Sequence, residues 1–176
     1  MSEDSIIRIS RRQFLFGAGA ITLLGVLYTG YRQLGEYPEN TLNLRHLSDK
    51  EVVIYRILGN WILPAGGPLP GSGGDDECLR RIDAIFDNIP EGKRTLLSAL
   101  PLAFEHGTLL DHLGSTCLSQ LSAEVATSYL DDWATSQNLI RCQLMAALKA
   151  MYGFSYFERD DVLTAMNIPP LCAVRS

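Results

Sequence analysis

The stretch Ser48 to Pro64, "SDKEVVIYRILGNWILP", decides the fold class. Ser48-Asp49-Lys50-Glu51 has the layout of a capping box, in which the serine oxygen takes the backbone N–H three residues on and the glutamate side chain returns to the cap's own N–H. Val52, Val53, Ile54, Ile57, Leu58 and Trp61 then recur at three- and four-residue steps. That spacing predicts a helix from about Asp49 to Leu63, ended by Pro64.

Downstream, the same period returns between punctuation marks. "PAGGPLPGSGGDDE" reads as an irregular loop. Gly66 and Gly71 have the spacing of a phosphate-binding loop, but Ser72-Gly73 stand where Lys-Ser/Thr should follow, and acidic residues come next. Asp75 or Asp76 caps a helix through Leu79, Ile82, Ile85 and Phe86 that stops near Pro90. A third helix is expected from Glu91 to Leu110, bent at Pro101. Ser122 with Glu124 opens a fourth through Val125, Tyr129, Leu130 and Trp133. A fifth spans Gln137 to Tyr152, and a short sixth lies near Arg159 to Met166. No run alternates with a period of two, so the class is all-α: about five to six helices joined by long Gly/Pro-rich loops.

Upstream, Ser10-Arg11-Arg12-Gln13-Phe14-Leu15 stands before the uncharged run Phe14 to Tyr31. A paired arginine just ahead of a moderately apolar run, with Ser10 before the pair and Phe14-Leu15 after it, is the layout of a twin-arginine export signal. No small-x-small pair followed by a polar residue succeeds the run, so the segment is expected to stay as a membrane anchor with Arg32 onward outside. At about 1.5 Å per residue the run spans roughly 27 Å, close to the hydrocarbon thickness of a bilayer. The expected organisation is therefore signal and anchor 1–31, linker 32–47, and a helical domain 48–176.

The whole chain carries a net charge of −5, from 15 basic and 20 acidic residues. Residues 1–31 hold three of the basic and two of the acidic ones, which leaves 12 against 18, or −6, outside. An acidic domain with no basic stripe argues against nucleic acid. Cys78, Cys117, Cys142 and Cys172 form no CxxC pair, so a zinc or iron–sulfur site is not indicated. Disulfides within the chain or to a partner both remain open.

Enzyme-like groups are sparse. Glu105-His106 and Asp111-His112 make the best cluster, yet the two histidines are six apart on different helix faces and lack the spacing of known zinc or di-iron helices. A surface or helix-end role is expected for them. Asp131-Asp132 and Asp160-Asp161 are sequence neighbours that point apart on a helix and suit caps or solvated faces. No nucleophile motif occurs, and no cysteine has a nearby histidine that would suggest a nucleophile pair. The domain reads as non-catalytic, with no metal and no cofactor of its own. Trp61, Trp133, Tyr152, Phe154, Tyr156 and Phe157 are the candidate partner contacts, since aromatics supply large buried areas at interfaces.

Two stretches then carry a resemblance. "WILPAGGPLPG", Trp61 to Gly71, and "LIRCQLMAALKAMYGFSYFERDDVLTAMNIPP", Leu139 to Pro170, together with the twin-arginine start, resemble the gluconate 2-dehydrogenase subunit 3 family over most of residues 48 to 170. The second stretch looks like that family's Leu-rich helix, Tyr-Phe turn and closing Pro segment. "MNIPPL" departs from it, standing where members often have a Gly-aromatic-Gly-Pro turn. The resemblance implies a small subunit without an active site. It would bind a large FAD-containing dehydrogenase of the glucose-methanol-choline type that lacks its own signal, and carry it through the twin-arginine translocase. The assembly would sit on the periplasmic side of the bacterial inner membrane, anchored through residues 14–31, and a cytochrome c subunit with haem c often receives the electrons. Two other classes compete: a ferritin-like metal-dependent helical enzyme using Glu105, His106, Asp111 or His112, and a membrane-tethered binding protein without an enzyme partner.

Overall fold

A computed structural model describes residues 37–111 and 116–169, apart from the side chains of Leu96 and Leu110. Among these residues there are six α-helices and no strand: α1 Asp49–Ile62, α2 Asp76–Ile85, α3 Glu91–Leu110, α4 Ala123–Ala134, α5 Leu139–Phe157 and α6 Asp160–Ala165. Single 3₁₀ turns follow α2 at Phe86–Asn88 and precede α4 at Leu118–Gln120. The all-helical class expected from the sequence holds. None of the described helices is long and apolar enough to cross a membrane. The export signal, Ser10, Arg11, Arg12, Phe14 and Leu15, and the anchor 14–31 lie outside the described residues.

The capping box forms as the sequence dictates. Ser48 Oγ accepts from Glu51 N, and the Glu51 carboxylate accepts from Ser48 N at 2.8 Å. That fixes where α1 begins and turns Ile54, Tyr55 and Leu58 inward, where each is fully buried. Asp75, not Asp76, caps α2 by accepting from Cys78 N at 2.9 Å. Helix α1 packs on α3, while α5 packs on α2 and α4. The core between them runs from Tyr55, Leu58, Leu79 and Ile82 through Phe104 and Leu130 to Leu148 and Tyr152.

Two expectations change. Part of the stretch read as linker belongs to the packed domain: Leu42 and Leu47 are buried in the core. Its last three residues are gripped by Asp83, whose carboxylate accepts from the backbone N–H of Arg45, His46 and Leu47, each at 2.9 Å. A buried carboxylate needs such partners, and only a packed chain supplies them. The second change concerns α5. It runs to Phe157, so the segment read as an aromatic turn after Tyr152 is helix, with Gly153 inside it. Burial of Tyr152, Ser155 and Tyr156 outweighs the roughly 1 kcal/mol that a helical glycine costs.

The Gly/Pro stretch between α1 and α2 is a loop, as expected, and it is seated closely. A methyl on Gly59 would come within 2.3 Å of Gly73 O, and one on Gly74 within 2.4 Å of Arg56 O. Glycine at these places lets loop backbone lie directly on helix backbone. Gly66 and Gly71 have φ of 86° and 76°, the left-handed region that other residues avoid.

Candidate functional site

The aromatic residues singled out as partner contacts divide sharply. Tyr152 is in the core, its ring set edge-on to Tyr55 and its hydroxyl donating to Tyr55 O. Trp133 is also buried, packed on Phe104 with ring centroids 4.6 Å apart, and Gly107 makes room for it: a methyl there would stand 2.5 Å from the indole. Tyr156 is buried and donates to Pro70 O at 2.9 Å. These three hold the fold and are not surface contacts. Trp61 is half-buried, donating to Asp131 at 3.2 Å beneath the Lys149 ammonium. Phe154 and Phe157 are 64% and 40% exposed on the outer side of α5.

Phe157 is tied to the loop through Tyr156. The Phe157 ring meets Tyr156 edge-on at 5.3 Å, and Tyr156 in turn holds Pro70. Arg159, just past the helix end, is buried and bridges Asp75 at the far end of the loop to Asp161 on α6. Burial of Asp75 favours its neutral form, yet hydrogen bonds from Arg159, Cys78 and Ser72 outweigh it and hold the carboxyl below its ordinary value. Asp161 is held low by Arg159 as well. Both carboxylates are therefore charged at neutral pH, and the guanidinium clamps the loop to the end of α5. Residues 64–68, at the loop's tip, are exposed and have no polar side chain.

The charged cluster expected at a surface behaves differently. Glu105 is fully buried, not at a helix end. Its oxygens accept from Tyr37 Oη at 2.9 Å, Ser119 N at 3.0 Å and Ser119 Oγ. Lys50, also buried, lies over the Tyr37 ring at 5.1 Å. Burial pushes Lys50 below its ordinary value, with the Glu105 charge opposing it. Burial pushes the Tyr37 phenol up to about 12, and Glu105 adds to it. The cluster ties the chain's entry at Tyr37 and the 3₁₀ turn at Leu118–Gln120 to α3.

Beside it, Cys117 Sγ stands 3.6 Å from His106 Nδ1, a cysteine–histidine pair that a separation of eleven positions hid in the sequence. Burial lowers the imidazole, helped by Lys50. Burial and Glu105 raise the thiol. Both shifts favour the neutral pair over thiolate and imidazolium, the opposite of an activated nucleophile.

Asp111 is a clasp at the other end of α3, pairing with Arg141 and accepting from Trp133 Nε1 at 3.3 Å. His112 lies outside the described residues. Among the described residues no three of His, Cys, Asp and Glu converge as metal ligands. Asp131 and Asp132 line, with Glu124, Thr127 and Ser128, a shallow depression of about 540 Å³ on the outer face of α4. Asp160 opens α6. Cys78, Cys117 and Cys142 are free thiols, and Cys172 lies outside the described residues.

In comparisons with protein-family models, curated proteins and solved structures, nothing matches the chain.

Proposed function

We propose that the chain is a non-catalytic small subunit that escorts an FAD-dependent dehydrogenase of the glucose-methanol-choline type, acting on sugars, alcohols or related substrates. The subunit carries its folded partner through the twin-arginine translocase and stabilises it. It then tethers the pair through residues 14–31 at the periplasmic face of the bacterial inner membrane, with a cytochrome c subunit taking the electrons. FAD resides in the partner and haem c in the third subunit.

One observation supports this reading above the others. The two stretches that carry the family resemblance, "WILPAGGPLPG" and the end of "LIRCQLMAALKAMYGFSYFERDD", are joined by the Tyr156–Pro70 hydrogen bond across 86 positions. The end of α5 exposes Phe154 and Phe157, and the tip of the loop is exposed and apolar. Permanent subunits contact one another through apolar, aromatic-rich faces. The neutral His106–Cys117 pair and the saturated Glu105 fit a structural part more readily than a reaction centre.

Co-purification tests the proposal. A tagged full-length chain extracted in mild detergent should bring a large yellow flavoprotein with it in fixed ratio. A chain that emerges alone, from cells that contain such a dehydrogenase, would favour a tethered binding protein instead.

A further inference from the structure

Resting on that small-subunit reading, and adding where the partner docks and what chemistry it brings, we infer that loop 64–71 and the outer side of α5 form one docking face for a different polypeptide. That partner presents an apolar centre rimmed by lysine or arginine. A second copy of this chain does not fit, and neither does an anionic lipid surface.

Shape supplies the first half of the argument. On α5, Phe154 and Phe157 project outward, Ala150 continues the strip, and Leu139 and Ile140 stand 69% and 66% exposed at the far end. Residues 139 to 157 cover roughly 27 Å of helix at about 1.5 Å each, with bulky walls and a low middle. The loop adds to the Phe157 end without a polar side chain between Leu63 and Ser72. It is held before any partner arrives. Gly73 N donates to Leu63 O at 2.9 Å, Tyr156 holds Pro70, and Arg159 holds Asp75. A face already set in its bound form loses little freedom on association, which is the condition for tight docking.

Charge supplies the second half and chooses among occupants. Of the basic groups on this side, Arg159 is buried and committed to Asp75 and Asp161, and Lys149 lies over the Trp61 ring. Glu158 and Asp160 are exposed beside Phe157 and form no ion pair among the described residues. Glu158 caps the C-terminus of α5, where the helix dipole adds further negative potential, and Asp160 is the first residue of α6. The rim is therefore acidic, on a chain whose net charge is −5. Two copies meeting at this end would set carboxylates against carboxylates. Anionic lipid would be repelled for the same reason. A basic-rimmed protein is drawn in and aligned.

The test uses the full-length chain and two synthetic amphipathic helices with the same Leu/Ala face, one flanked by lysines and one by glutamates. Fluorescence anisotropy should show binding of the lysine peptide alone, weakening as salt is raised. Phe154→Ser with Phe157→Ser should weaken it by about tenfold or more. Glu158→Lys with Asp160→Lys changes exposed residues only. It should weaken the lysine peptide and admit the glutamate peptide, with the helical circular dichroism of both variants unchanged. Equal binding of the two peptides, or binding of neither, overturns the inference. So does self-association in sedimentation velocity that Phe154→Ser abolishes, or binding to phosphatidylglycerol vesicles that the same change abolishes. The escort reading fails on a separate result, export of the flavoprotein without the arginine pair of this chain, so either can fall alone.

Discussion

Replacing Gly59 by alanine asks whether the loop is seated on α1 by backbone contact. In an open helix that change stabilises by up to about 1 kcal/mol, because alanine loses less backbone freedom on folding. Here the added methyl would stand 2.3 Å from Gly73 O, 2.4 Å from Gly73 C and 2.7 Å from Gly74 N. All three are backbone atoms, so no side chain can swing aside. The loop must lift, and lifting it strains the 2.9 Å bond from Gly73 N to Leu63 O. Overpacking of this kind costs about 1–3 kcal/mol and a weakened hydrogen bond about 1 more. Set against the gain in helix propensity, the net loss is about 1–3 kcal/mol, a fall of roughly 5 °C or more in melting temperature for a domain of this size. Thermal unfolding of the full-length chain by circular dichroism measures it. Gly67→Ala is the control, since a methyl there meets nothing within 4 Å, and its effect should stay within about 0.5 kcal/mol. A Gly59→Ala chain that melts at or above the parent temperature refutes the seating of the loop.

Glu105→Ala should cost about 3–5 kcal/mol, because it strips the acceptor from Tyr37 and Ser119 and the opposing charge from buried Lys50; Tyr37→Phe, which removes one donor, should cost about 1. Chemical denaturation reads both, and a Glu105→Ala chain as stable as Tyr37→Phe contradicts the cluster. The pH dependence follows from His106, whose folded pKa is lowered by burial and by Lys50. The unfolded chain therefore takes up the proton first, so stability falls as pH drops through about 6.5 and continues to fall toward the folded value. His106→Gln should flatten that slope below about pH 6.5, and an unchanged slope removes the burial argument.

The helical class and most element starts were legible because they depend on local chemistry. The Ser48–Glu51 box and the Asp75 cap act within four residues, and the structure keeps both. The end of α5 was not legible for the opposite reason. Gly153 and the aromatic run look like a turn locally, and only contacts with Tyr55 and Pro70, 97 and 86 positions away, favour helix there. Glu105 was misplaced because the buried stripe Ser98, Glu105 and Thr108 is polar. Its seven- and three-residue steps would have marked an inward face had it been leucine. The aromatic set was half-readable: residue type marked these positions as worth burying, but core or surface depends on helix phase, and the assumed turn after Tyr152 erased that phase.

The proposed escort role rests on the arginine pair. The decisive measurement is the location of flavoprotein dehydrogenase activity in cells whose chain carries Arg11→Lys with Arg12→Lys, compared by fractionation with the parent. The account predicts that both the variant chain and its folded, FAD-loaded partner remain in the cytoplasm, with periplasmic activity lost. Normal periplasmic activity of the dehydrogenase in those cells would contradict it.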